Sequence, residues 1–201
     1  SLLGGDTVST PGPLSFSATM LGWVPAGTMV KRSTAKAGDL VLVSGTIGDA
    51  ALGLKAAQGE LADLPAWQVE FLTHRYRLPT PRLDLHAGLS RVHACADISD
   101  GMIADARNIA AASGLGLEID LDRMPLSPVA EAWLAQQEDR AAGLLALATG
   151  GDDYELVCAA PDHVPQFTAV GRFVPGDGVK VRASGGTIQA PQLGYRHGKD
   201  G

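Results

Sequence analysis

The sequence contains only two cysteines, Cys95 and Cys158, each inside a separate apolar run. Neither has a close-spaced partner, so no disulfide framework or thiolate metal site is legible, and both read as buried thiols. Also missing is any block of about five Lys or Arg residues. The net charge is −6, and a nucleic-acid surface is disfavoured. An anionic ligand would need local arginines or metal ions to meet it. No apolar run approaches the ~18 residues of a membrane span, and no secretory signal is visible. The expected compartment is the cytoplasm, with no nucleic acid and no membrane among the partners. The Gly-bounded stretch "SGTIGDAAL" (Ser44–Leu52) lacks the Lys and following Ser/Thr of a Walker loop; its Asp49 reads as a helix N-cap. The histidines are scattered, and no Ser-His-Asp or Cys-His arrangement emerges. Finally, the chain starts "SLLGGD", with no Met. An apolar pair running into Gly-Gly-Asp resembles the end of a strand, which suggests a fragment whose upstream sequence has been removed.

What is present supports a folded core. Of the 201 residues 45% are hydrophobic and 19% charged, which disfavours wholesale disorder. "PLSFSATMLGWV" (Pro13–Val24) alternates apolar and polar residues and predicts a strand with one wet face. "DLVLVSG" (Asp39–Gly45) is a continuous apolar run, as in a buried strand. Helical spacing follows over 46–60, 65–76 and 82–92, with Pro79 and Pro81 separating the last two. "HACADIS" predicts a strand, "GMIADARNIAAAS" a helix with Met102, Ile103, Ala106, Ile109 and Ala110 inward, and "LGLEIDL" another strand. Two short helices are expected within 127–149. "DYELVCAA", "FTAVGRFV", "GVKVRA" and "GTIQA" predict strands. The fold class is therefore α/β (α+β), a mixed sheet flanked by helices. "KAGD" (Lys36–Asp39) marks the expected boundary between residues 1–35 and 36–201.

One stretch concentrates chemistry. In "HACADISDGMIADA", Asp97 falls at the carboxyl end of a strand and Asp100 at the start of a helix. Ligands of open α/β sheets bind beyond the carboxyl ends of strands, and a helix N-terminus presents unpaired N–H groups. Two carboxylates three residues apart can share a hard cation such as Mg²⁺, and Ser99 can donate to a phosphate oxygen. A metal–phosphate site and a plain capped helix both fit these residues, while Asp105 reads as solvated. "LLGGDTVS" (Leu2–Ser9) and "ATGGDDYELV" (Ala148–Val157) repeat the pattern of Gly-Gly-Asp after an element end. Each is either a ligand loop or a turn, with Gly151 a possible helix C-cap. Lys31, Arg32 and Lys36 offer positive charge, and Arg can meet phosphate bidentately. His74, Arg75, Arg77 and Arg82 surround the two prolines, facing either an anionic substrate or solvent.

Seven motifs occur in order: "LLGGDT", "KRSTAKAGD", "LVSGTIGDAALGL", "RLPTPR", "DISDGMIAD", "GGDDYEL" and "LGY". From Leu2 to about Tyr195 the chain resembles the thiamine-monophosphate kinases of the aminoimidazole-ribotide-synthetase-like ATP-binding superfamily. The resemblance implies the superfamily's C-terminal domain over 36–201, with residues 1–35 the tail of an N-terminal ATP-binding domain that contributes a residual strand. It implies direct, Mg²⁺-dependent transfer of the γ-phosphoryl group of ATP to thiamine monophosphate. The acceptor oxygen is already anionic, so no general base is needed, and no catalytic residue is expected apart from the metal and nucleotide ligands. By matching position, Gly5, Asp6, Arg32 and Ser99 would contact ATP; Asp6, Asp97 and Asp100 would ligate metal; Asp152 and Tyr195 would contact thiamine monophosphate. Leu78 stands where relatives often have Arg, and no role follows for it. A homodimer is implied for the full-length protein, and little activity for these residues alone. Two other readings stand beside this one: a sister activity such as aminoimidazole-ribotide synthesis, and a non-catalytic nucleotide-binding or assembly module.

Overall fold

The apolar run LVLVS becomes the middle of a sheet. In the computed structural model, which describes residues 1–195, it forms β1 (Leu40–Ser44). β1 lies between two antiparallel neighbours, β4 (Leu156–Ala160) and β5 (Phe167–Val174). Val41 and Val43 point into the larger core, and Leu42 into a smaller cluster with Leu85, Val92 and Phe167 on the other face. Both faces are covered, so the strand has no polar alternation.

The remaining strands are β2 (Ala94–Asp97), β3 (Gly116–Asp120), β6 (Val179–Ala183) and β7 (Gly186–Ile188). The sheet order is β2-β4-β1-β5-β3-β6-β7. Among the described strands only the β3–β6 pair is parallel, so the sheet is mixed, as expected. Helices α1 (Asp49–Ala57), α2 (Ala66–Arg77), α3 (Met102–Ala112), α4 (Pro128–Leu134) and α5 (Arg140–Ala148) flank it. The larger core joins Ile47, Leu52, Leu72, Met102, Ile109 and Leu147 to the sheet.

Two local expectations are corrected. Residues 82–92 form a 3₁₀ helix, Leu83–Arg91, rather than an α-helix. It connects α2 to β2 and buries mainly Leu85, and its nine residues are long for 3₁₀ geometry, which usually comes in runs of about 3–4 residues. The predicted strand over Pro13–Val24 is not formed: residues 1–29 are exposed and carry no regular structure. Alternation supplies a face, but a strand also needs a partner for its N–H and C=O groups, and no described residue pairs with this stretch. The chain first joins the sheet at Lys31, which bridges Ala94 in parallel.

The cysteines are closer than their sequence spacing suggests. Cys95 on β2 and Cys158 on β4 are register partners, and the Cys158 thiol donates to Cys95 Sγ at 3.1 Å. Cys158 is buried and Cys95 half-buried. The hydrogen bond to Cys95, and then burial, push the Cys158 thiol far above its ordinary value.

Candidate functional site

β2 ends at Asp97, and the following residues carry the chain from sheet to helix. Ile98 still behaves as strand: its N–H donates to the Glu155 carbonyl, and its carbonyl accepts from Tyr154 N–H, both at 2.8 Å. Beyond it two separate segments take up the backbone. The Ser99 carbonyl accepts from Asp152 N–H at 2.9 Å, and the Asp100 carbonyl accepts from Tyr195 N–H at 2.8 Å. The "DISDG" loop is thus held between the "GGDD" loop and the "LGY" segment. Asp97, Ser99, Asp100, Asp152 and Tyr195, named from the sequence, meet at one end of the sheet. The Tyr195 side chain is largely exposed, beside a groove of about 480 Å³ lined in part by Ala104, Arg107 and Lys180.

The start of α3 differs from the capped-helix reading. Its N-cap is Gly101, with no side-chain cap, so neither Ser99 nor Asp100 caps the helix. Asp105 instead ties the preceding loop to the helix. It is buried, not solvated, and its Oδ2 accepts from the N–H groups of both Ser99 and Asp100 at 3.0 Å. Burial pushes its carboxyl above the usual range, opposed by these two bonds. The physical reason is helical spacing. Residues 102, 105, 106 and 109 share a face, and Met102, Ala106 and Ile109 bury that face. A carboxylate placed there must find hydrogen-bond donors, and the loop supplies them.

The "GGDDYEL" segment is supported from below. α5 ends with Thr149 as its C-cap, so Gly151 is not a helix cap. Gly151 has φ +73°, and a Cβ there would lie 2.5 Å from the Ser99 carbonyl oxygen. Asp152 (φ 61°) and Tyr154 (φ 50°) are left-handed as well. Such conformations cost on the order of 1–3 kcal/mol each and persist only where neighbours enforce them. The buried Asp153 carboxylate is one anchor, accepting from Gly48 N–H at 2.9 Å and Ala50 N–H at 3.2 Å at the start of α1. Burial drives its carboxyl up to about 7, helped by the nearby Asp49 and opposed by the two N–H bonds and Arg75. Glu155 is the other anchor. It accepts from the Ser44 hydroxyl at 2.5 Å and lies 3.3 Å from Arg75 and 3.5 Å from Arg82.

Arg75 and Arg82 therefore face inward and hold the underside of the loop, while Arg77 is exposed. Asp49 is the first residue of α1 rather than its cap, which is Gly48. Its buried carboxylate accepts from the hydroxyls of Thr46 at 2.6 Å and Ser127 at 2.5 Å, and lies 3.7 Å from Arg75 Nε.

Arg32 is brought to the site through Lys31, whose carbonyl accepts from Cys95 N–H. Its guanidinium lies 3.2 Å from Asp97 Oδ1, both side chains being substantially exposed. Gly5 and Asp6 are not brought in. They lie in the exposed segment, and the Asp6 carboxylate accepts from the adjacent Thr7 N–H. Among the described residues no group of three His, Cys, Asp or Glu side chains converges on a metal position, so Asp6, Asp97 and Asp100 do not form one cluster. Among the same residues no helix is long and apolar enough to cross a membrane.

Residues 36–184 match the family described as AIR synthase related protein, C-terminal domain. The chain belongs to this family. Within the AIR synthase related proteins, it is 47% identical to a thiamine-monophosphate kinase of Caulobacter vibrioides, over 98% of this chain and 59% of that protein. A thiamine-monophosphate kinase structure from Stenotrophomonas maltophilia superposes with a TM-score of 0.65 at 33% identity, covering 82% of this chain and 56% of that one. A structure described as AaThiL complexed with AMPPCP and TMP reaches a TM-score of 0.71 at 32% identity, covering 84% of this chain and 54% of that one. The chain spans little more than half the length of these relatives.

Proposed function

We propose that this chain is part of an ATP-dependent thiamine-monophosphate kinase. The reaction moves the γ-phosphoryl group of ATP to the phosphate of thiamine monophosphate and releases thiamine diphosphate and ADP. The observation that carries the reading is the union of the 97–101 loop, the 150–154 loop and Tyr195 by backbone hydrogen bonds. It occurs in a chain similar to one described with AMPPCP and TMP bound.

The donor chemistry suits Mg²⁺, since Asp97 and Asp100 offer carboxylate oxygens from half-buried positions and hard cations take oxygen ligands. When bound there, the cation would neutralise phosphate charge. The protein's own groups do the rest. Arg32, partly in solvent beside Asp97, carries guanidinium donors suited to a phosphate oxygen. The Ser99 hydroxyl serves the nucleotide from the adjoining loop. Asp152 and Tyr195 serve thiamine monophosphate, the carboxylate and the aromatic ring both suiting a cationic thiazolium. No proton need be removed from an acceptor that is already anionic, so the rate depends on alignment. The same reading assigns Gly5 and Asp6 to the nucleotide and Asp6 also to metal, as part of the N-terminal ATP-binding domain. It makes residues 1–35 the tail of an ATP-binding domain and 36–201 the C-terminal domain.

Titration calorimetry with thiamine monophosphate and Mg²⁺ on the wild type and Asp152→Ala tests the substrate assignment. Binding lost in the variant is expected, and equal binding would remove Asp152 from the site. Product analysis on the full natural protein containing this chain, with ATP and Mg²⁺, tests the reaction. Absence of thiamine diphosphate would refute the kinase reading.

A further inference from the structure

We infer that Asp105 is a positioning residue for the phosphoryl-transfer site, fixing the Ser99–Asp100 backbone through one carboxylate oxygen. This deepens the kinase reading and rests on it for its rate measurement. Asp105 touches the loop only through Oδ2, which accepts from the N–H groups of Ser99 and Asp100 at 3.0 Å each. Its other oxygen lies 3.5 Å from the Asn108 amide. The residue is 4% exposed, on the helix face that also carries Met102, Ala106 and Ile109.

The loop's carbonyls are already fixed from outside, Ser99 by Asp152 and Asp100 by Tyr195. Asp105 fixes the N–H side of the same two residues. Ser99 and Asp100 are therefore restrained on both edges of their peptide units. The directions in which their side chains leave the backbone follow from that restraint. Loosening the N–H side would leave both side chains present but misaimed, and partners that orient ligating groups typically contribute about 10–100-fold to metal affinity or activity.

The two bonds share one oxygen, which separates geometry from charge. Asp105→Asn removes the charge but keeps an amide oxygen able to accept from both N–H groups. Asp105→Ala removes charge and acceptor together. If Asp105 acted through its negative charge on neighbouring carboxylates or phosphates, the two variants would behave alike. Positioning predicts that they diverge.

The test has two arms. In the first, amide hydrogen exchange at Ser99 and Asp100 is followed in the chain itself. Protection is expected in the wild type and in Asp105→Asn, and its loss in Asp105→Ala. Unprotected amides in the wild type would overturn the inference even if no variant folded. In the second arm, the full natural protein is assayed for thiamine diphosphate formation. Asp105→Ala is expected to lower kcat, and to raise the Mg²⁺ needed for half-maximal rate, by about 10–100-fold, with KM for thiamine monophosphate nearly unchanged. Asp105→Asn should stay close to wild type. Equal losses in the two variants, or a folded Asp105→Ala with wild-type rate and Mg²⁺ response, would overturn it. A wild type that makes no product would count against the kinase reading, while the exchange arm would still decide whether Asp105 fixes the loop.

Discussion

The N–H of Asp152 donates to the carbonyl of Ser99 across 2.9 Å, so the residue assigned to the substrate and the residue assigned to the nucleotide share a backbone hydrogen bond. Movement in either loop reaches the other through this contact and through the Tyr154 N–H bond to the Ile98 carbonyl, and Gly151 sits beside the first.

Gly151→Ala should break this contact. The left-handed backbone alone costs an L-residue on the order of 1–2 kcal/mol, and the added methyl would press on the Ser99 carbonyl oxygen. A lower urea midpoint and weaker thiamine monophosphate binding are expected together. A variant with the wild-type midpoint would show that the loop can retreat without loss.

Asp153 gives stability a dependence on pH. Unfolded, it ionises near the ordinary carboxylate value of about 4; folded, it does so at about 7. Between these values the unfolded chain has lost its proton and the folded protein has not. The group therefore favours unfolding increasingly as pH rises through that window, and the effect is complete above it. Asp153→Asn removes the titration, at a fixed cost of one N–H bond, because Gly48 and Ala50 donate to different oxygens and an amide nitrogen cannot accept. Its stability relative to wild type should rise between about pH 4 and about pH 7, as measured by chemical denaturation. A pH-independent difference would contradict the raised value.

Removing the Glu155 carboxylate takes the shared partner from Arg75 and Arg82 and leaves them, among the described residues, only the carboxylates of Asp49 and Asp84. Glu155→Ala should cost about 3–5 kcal/mol, as expected when one partner of a buried ion pair is deleted. Thermal unfolding would measure it, and a loss below ~1 kcal/mol, the scale of an exposed pair, would mean that water reaches both arginines.

Arg32 should behave in the opposite way. Its pair with Asp97 is exposed on both sides, so Arg32→Ala should change stability by no more than about 1 kcal/mol. Nucleotide affinity should nevertheless fall. A variant that binds ATP as the wild type does would remove Arg32 from the site.

Much of the sheet could be read from local pattern. "FTAVGRFV" forms β5 over the whole quoted stretch, and "LVLVS" is buried on both faces as its unbroken apolar character implied. The Pro13–Val24 alternation misled because pairing is a tertiary property, invisible to a single strand. At the site, the three-residue spacing of Asp97 and Asp100 was legible because strand and helix meet there. The convergence with Asp152 and Tyr195 was suggested only by family resemblance, since no local rule brings residues 100 and 195 together.

The buried acids were the least legible part. Asp105 was read by its charge, although its spacing from Met102 and Ile109 placed it on the inward face of α3. In "DDYEL" the acidic run suggests solvent, yet Asp153 and Glu155 share the parity that continues into Val157 of β4, and all three are buried. Periodicity carried the correct signal in both cases, and for Asp105 side-chain polarity overrode it.

The hydrogen bond from Tyr195 to Asp100 also has a consequence during synthesis. The 97–101 loop leaves the ribosome long before Tyr195, which follows every strand of the sheet. Until that late segment emerges, the Asp100 carbonyl lacks its final restraint. All seven strands are thus synthesised while one side of the 97–101 loop is still open, and the "LGY" segment closes it last among the described residues.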